Sequence, residues 1–323
     1  MIERLLLFII SIFWAMNMGA SGLAVSFAPS VGSKIIKKKN AVALFTVFVL
    51  LGALLVGGRV AKTLSSKIIA PELISPPVVL VILFSAGVTL FLANLLKIPQ
   101  STSIVTVSSF VGAGLYFKSL NLSLIGYLIF IWVGVSLLSY FLTFFIARKI
   151  YPPRQRNLWL YEKFFCHQDK LKKWTLFTDY YSAFGIGTNN VANVVGPLVA
   201  ANIIKPNAGF LVFSLLFGFG GLILGKGVLN TVSKEIVPLG TISASIVSLV
   251  VSTFIIICSL LGLPAPYVQF SSLSILAIHT IKEEKNHSAT LTHPITQKIL
   301  KVWLLTPLLS IVICYWLLFL LRI

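Results

Sequence analysis

Gly19-Ala20-Ser21-Gly22-Leu23-Ala24-Val25 and Gly187-Thr188-Asn189-Asn190-Val191-Ala192-Asn193 are two versions of one segment, set 168 positions apart. The offset persists well beyond them. Gly52 aligns with Gly220, Gly57 with Gly225, Val60 with Val228, Thr63 with Thr231 and Ser65 with Ser233. Each segment sits inside an apolar stretch, is rich in small residues that permit a chain break or close backbone approach, and carries hydrogen-bonding side chains. Paired interruptions of this kind at membrane depth are the sequence pointer to a transporter's binding site, formed where two internal repeats meet.

Composition sets the class. The chain is 57% hydrophobic and 11% charged, with a mean hydropathy of +0.98. Apolar runs near or above the roughly 20 residues that span a bilayer fall at 4–33, 41–60, 78–98, 122–146, 174–201, 207–226, 242–263 and 301–321. Two shorter ones, 101–117 and 265–279, hold Ser, Thr, Gly or Gln and read as re-entrant or half-helical. The fold class expected is an all-α polytopic membrane protein of about ten membrane elements in two repeats. An odd number of elements per repeat makes their topologies inverted. The expected division is 1–146 for the first repeat, 147–173 for a connecting loop and 174–323 for the second. Met1 to Met18 resembles a short signal peptide, but a cut near Ala20 would destroy the first copy, so it reads as a retained first helix.

Lys and Arg give the orientation. Arg148, Lys149, Arg154, Arg156, Lys163, Lys170, Lys172 and Lys173 face only Glu162 and Asp169 in the central loop, which is therefore expected in the cytoplasm. Lys34, Lys37, Lys38 and Lys39 make a second basic loop, whereas its equivalent in the other copy, 202–207, has Lys205 alone. Arg59, Lys62 and Lys67 run against this scheme. The net charge of +18 is explained by such loops and calls for no nucleic-acid partner. Pro152-Pro153 and Trp159 to Phe165 suggest a short interfacial piece at the headgroups. Cys166, Cys258 and Cys314 lack metal or redox spacing.

A helix interrupted in mid-membrane offers free N–H groups and partial positive charge to an anion. Ser21, Gly22, Ser26, Asn189, Asn190 and Asn193 are the candidate substrate residues of the two breaks. Polar groups at that depth must line a cavity or be buried in protein, and the competing reading is small-residue helix packing. Ser101, Thr102 and Ser103 follow Pro99-Gln100, and Gln269 follows Pro264-Ala265-Pro266-Tyr267-Val268, at an offset of 165. They read either as helix caps or as donors to the same anion.

The pattern resembles the inorganic phosphate transporter family, whose hallmark in each repeat is Gly-Ala-Asn-Asp-Val-Ala-Asn, commonly followed by Pro-x-Ser-Thr-Thr at the later hairpin. Gly187 to Asn193, continuing into Val194-Val195-Gly196-Pro197-Leu198, matches closely; Gly19 to Ala24, leading to Ser30-Val31-Gly32-Ser33, matches loosely; Pro99 with Ser101-Thr102-Ser103 matches the later motif. The family's aspartate is Gly22 in one copy and Asn190 in the other, and Pro266-Tyr267-Val268 stands where hydroxyls are expected. These departures resemble the family's sulfate permease branch. The resemblance implies alternating-access import of sulfate, with thiosulfate or another tetrahedral oxyanion allowed and phosphate symport as the alternative.

Sulfate only accepts hydrogen bonds, while phosphate at neutral pH retains a proton that a carboxylate can accept. Exchange of Asp for Gly22 and Asn190 suits sulfate and removes hard ligands for sodium. A proton is then the expected coupling ion, as the branch implies, with sodium second. Asp179 is the candidate proton carrier; alternatively it caps the helix or pairs with Lys172 or Lys173. His279 reads as interfacial. No cofactor, metal site or enzymatic constellation is expected. The location expected is the cell membrane, with lipid around the protein and homodimer formation left open.

Overall fold

The computed structural model describes residues 2–95, 100–165, 167–227, 229, 240–282 and 294–323. Pro99, Cys166, Val228, Thr231, Ser233 and Lys285 lie outside them. The architecture is helical. Its first half holds α1 (Ile2–Gly32), α2 (Lys38–Gly52), a π-type turn (Ala53–Gly57) running into α3 (Gly58–Ser66), α4 (Pro76–Leu95), α5 (Thr102–Tyr116) and α6 (Leu122–Ile150). The second half holds α8 (Gln168–Asn189) with α9 (Ala192–Ala200), then α10 (Pro206–Ile223), α11 (Thr241–Leu260), α12 (Tyr267–Lys282) and α13 (Pro294–Leu321). Between them, α7 (Leu158–Phe165) occupies the predicted interfacial stretch, and the Tyr161 hydroxyl donates to the Ile150 carbonyl at 2.7 Å.

Helix is the only open-chain solution in lipid, because each backbone N–H and C=O must find its partner within the segment. The ends follow ordinary chemistry. Proline opens α4 and occupies the first position of α10. Asn121 caps α6 by accepting from the Leu124 N–H at 3.0 Å. Hydroxyls inside the helices bond back to the preceding turn, as Ser11 does to Leu7 and Ser85 to Val81. Seven helices among the described residues are long and apolar enough to cross a membrane. The outer faces of α6 and α13, with Phe130, Val133, Leu304 and Leu320 exposed, present the side chains that lipid requires.

The halves are interwoven rather than side by side. Helix α1 packs on α10 and α8 on α2; α5 packs on α13 and α12 on α6. A Cβ on Gly19 would be driven into the backbone of Phe217, and one on Gly187 into that of Val49. Likewise Gly220 lies on the backbone of Met16, and Gly52 on that of Phe184. Every partner in one pair is the 168-residue equivalent of its partner in the other. The reciprocal contacts are a two-fold relation between the repeats, written in glycine.

This corrects one expectation. Gly19 does not break its helix: α1 runs without interruption through Gly19-Ala20-Ser21-Gly22 to Gly32. Its missing side chain serves close helix–helix approach instead. In the second copy the helix is dislocated only at Asn190-Val191. Asn190 (φ −75, ψ −34) and Val191 (φ −61, ψ −32) keep right-handed torsions, and the Asn193 N–H bonds Asn190 rather than the residue four before it. Pro29 in α1 and Pro197 in α9, again 168 apart, each remove one helical hydrogen bond just beyond these segments.

Candidate substrate site

The buried polar groups of the second copy converge with both hairpins. Asn189, the last residue of α8, is their junction. Its Oδ1 accepts from the Ala265 N–H at 3.0 Å, in the turn before α12, and from Ser103 Oγ at 3.2 Å, in the first turn of α5. Its Nδ2 donates to Ser259 Oγ at 2.9 Å and to the Leu263 carbonyl at 3.1 Å. Asn193, one turn further along, donates to Ser103 Oγ at 3.0 Å and Thr102 Oγ1 at 3.3 Å. Thr188 Oγ1 lies 3.0 Å from Ser259 Oγ. All of these side chains are buried.

A second strand of the network joins the hairpins to each other. Gln269 Nε2 in α12 donates to Gln100 Oε1 at 2.8 Å, and the same oxygen accepts from the Ser101 N–H at 2.9 Å. Gln100 Nε2 donates to Thr306 of α13. Ser101 is the N-cap of α5, extended at φ −81 and ψ 130, and its side chain makes no cap. The first turn of α5 therefore has no side-chain cap from Ser101, an arrangement that leaves N–H groups for an anion. Asn190 Oδ1, Asn193 Oδ1 and Gln269 Oε1 are enclosed without a hydrogen-bond partner among the described residues. An amide can present either end by a half-turn, so each of these positions is able to offer a donor instead.

Of the sequence-derived candidates, Ser101, Thr102, Ser103, Asn189, Asn193 and Gln269 meet in one place, with Asn190 adjoining. The first-copy candidates stand apart. Ser21 is exposed, and its Oγ donates to the Met18 carbonyl of its own helix at 2.9 Å. Ser26 is buried but donates to the Gly22 carbonyl at 2.9 Å. Gly22 is wedged between repeats: a Cβ there would stand 3.0 Å from the Phe45 ring and 3.4 Å from Ile186. Sequence reasoning passed over Gln100, Thr188, Ser259 and Thr306. The three hydroxyls among them gave a faint signal, since isolated hydroxyls in apolar helices ordinarily bond their own backbone.

Asp179 lies ten residues before Asn189 in α8, about 15 Å along the helix axis. It is fully buried, and neither carboxyl oxygen has a hydrogen-bond partner among the described residues. It does not pair with Lys172, which reaches Asp169 at 3.5 Å instead. Ser30 of α1 stands beside the carboxyl, outside hydrogen-bonding geometry. The site around Asn189 thus has donors in quantity and no carboxylate among the described residues that bond within it. His279 is exposed on α12.

Comparison with known proteins follows the same lines. Residues 18–314 match the profile of the phosphate transporter family. The chain is 38% identical over 310 residues to the sulfate permease CysP of Bacillus subtilis (strain 168), covering 94% of this chain and 84% of that one. It is also 37% identical over 107 residues to a sodium-dependent phosphate transporter of Toxoplasma gondii (strain ATCC 50861 / VEG), a match spanning 31% of this chain and 12% of that protein. Among solved structures, a sodium-dependent phosphate transporter shares the fold with a TM-score of 0.83 at 19% identity, over 100% of this chain and 99% of the other.

Proposed function

The chain belongs to the phosphate transporter family, and within it we propose that this protein is a secondary active importer of inorganic sulfate, driven by protons. It is a multi-pass membrane protein, and the cell membrane with the central basic loop inside is the setting this reading adopts. The observation that carries the proposal is the bonding around Asn189. Donors from both hairpins and from the dislocated helix face one another there, and among the described residues no carboxylate takes part.

A fully deprotonated tetrahedral anion needs donors on every side, and an unpaired like charge in a dry site is costly. Sulfate would exchange the side-chain bonds of Asn189, Asn193, Thr102 and Ser103 for bonds to its own oxygens. The first-turn N–H groups of α5 add the helix dipole. Asn190 and Gln269 complete the shell by turning their amides. Ser21 and Ser26, whose hydroxyls bond carbonyls of their own helix, stand outside this shell. Similarity to CysP supports sulfate. The alternative substrate, phosphate, has support from the Toxoplasma gondii relative. Thiosulfate fits the same donors.

The test is uptake of labelled sulfate into proteoliposomes, competed by phosphate, with proton and sodium gradients imposed separately. Proton-driven sulfate uptake indifferent to phosphate is the expected result. Phosphate uptake in its place would overturn the assignment of selectivity to Gly22 and Asn190.

A further inference from the structure

The second hairpin departs from the first where Pro266-Tyr267-Val268 replaces Ser101-Thr102-Ser103, and of the three only Tyr267 keeps a hydroxyl. Thr102 in the first turn of α5 has Tyr267 as its equivalent, 165 positions on, in the first turn of α12. The two hydroxyls go to different places. Thr102 Oγ1 accepts from Asn193 Nδ2 at 3.3 Å, inside the cluster proposed for the anion. The longer Tyr267 carries its hydroxyl away to α8, where it shares a 2.8 Å hydrogen bond with Ser182 Oγ. Ser182 lies three residues after Asp179, on the same face of the helix. Ser252 of α11 stands beside the tyrosine hydroxyl with no hydrogen-bond partner among the described residues, and the hydroxyl is within electrostatic reach of Asp179.

Around Asp179 the structure therefore gathers Ser30 from the first repeat and Ser182, Ser252 and Tyr267 from the second. All five are buried. The titratable groups that feel the carboxyl's charge are Tyr180, in α8, and Tyr267, in α12. Among the described residues, no Lys, Arg, His, Asp or Glu of α1, α2, α7, α9, α11 or α12 acts on it. An ionised carboxylate in that enclosure requires donors, and Ser30 and Tyr267 are the hydroxyls placed to respond to it.

Tyr267 also leads to the anion cluster. Two residues on, Gln269 bonds Gln100, which receives the Ser101 N–H. A displacement of the first turn of α12 toward or away from Asp179 must move Gln269 with it.

We propose that Tyr267 is the positioning residue that ties the charge state of Asp179 to the second hairpin, so that loading of a proton and closure over the anion become one event. This rests on the transport reading above and on Asp179 as the proton carrier. The second hairpin has exchanged an anion-facing hydroxyl for a tether to the coupling acid. Proton transfer is to and from Asp179 Oδ alone. Tyr267 holds the hairpin and does not give up its own proton.

Two measurements test this on the full-length protein. Infrared difference spectra between acid and alkaline pH should show a protonated-carboxyl band that disappears in Asp179→Asn. The band should shift in Tyr267→Phe and, less, in Ser182→Ala. In proteoliposomes, Tyr267→Phe should keep gradient-free exchange of labelled sulfate within about twofold while losing most proton-driven accumulation, as Asp179→Asn does. Absence of an Asp179-dependent band, or an unshifted band in both hydroxyl variants, overturns the tether whatever the substrate proves to be. Loss of exchange in Tyr267→Phe together with an unshifted band would return the residue to the anion pocket. If wild-type protein moves neither sulfate nor phosphate while the band shifts as expected, the transport reading fails and the tether stands.

Discussion

Two copies of one segment occupy this molecule, and they are not treated alike. The Asn189 copy is stitched into both hairpins by side-chain bonds. The Ser21 copy bonds only its own helix and continues without interruption. Yet the glycines flanking both copies make the same contacts, Gly19 on Phe217 and Gly187 on Val49. Backbone packing is symmetric while hydrogen bonding is not. The alternating access proposed above needs both properties: equivalent interfaces on which the repeats can exchange conformations, and a polar set that at any moment favours one of them.

The shared part of this comparison breaks most severely. Gly19→Ala and Gly187→Ala each force a Cβ into a neighbouring backbone that has no side-chain freedom to give. Overpacking of this kind costs roughly 3 kcal/mol, and the two losses in thermal stability should be nearly equal. A large inequality would mean that the two-fold relation is not energetic. Next comes the polar difference. Asn189→Ala strands the Ala265 N–H and the Leu263 carbonyl, at about 1–3 kcal/mol for each buried group left without a partner. Sulfate uptake should fall by about 100-fold, whereas Ser21→Ala, its counterpart, should change it less than about twofold. Equal effects from these two would place the site on the axis rather than in the second copy.

Asn190→Asp sharpens the chemistry. A carboxylate beside a donor-only cluster repels a fully charged anion, so sulfate uptake should drop by roughly 10-fold (about 1.4 kcal/mol) while competition by phosphate rises. Unchanged selectivity would remove Asn190 from the shell. The smallest effect belongs to Ser26→Ala, which deletes only a bond back to the Gly22 carbonyl. About 0.5–1 kcal/mol of stability is expected, with transport retained; a transport defect without loss of stability would give the first copy a direct role.

Much of this was legible in the chain. Apolar run lengths gave the membrane elements closely, including the short α5 and α12, because lipid thickness and backbone satisfaction leave few choices. The fixed offsets gave the repeat. Hydroxyl and amide positions gave Ser101, Thr102, Ser103, Asn189, Asn193 and Gln269, since buried polar groups in lipid need a reason to be there. The break at Gly19 was misread for a definite cause. Glycine is equally suited to an altered torsion and to close approach, and nothing local to Gly19-Ala20-Ser21-Gly22 distinguishes them.

Sequence by itself determined the class, the repeat, the polar inventory and the placing of Asp179 within a membrane element, because each depends on composition along a single segment. Tertiary structure alone decided which glycine meets which backbone and that Asn189, not Ser21, joins the hairpins. It also decided that Tyr267 reaches Ser182 near Asp179, far from Asn193. Those outcomes depend on where helices distant in the chain cross, and a hydrogen bond is specified by both its partners.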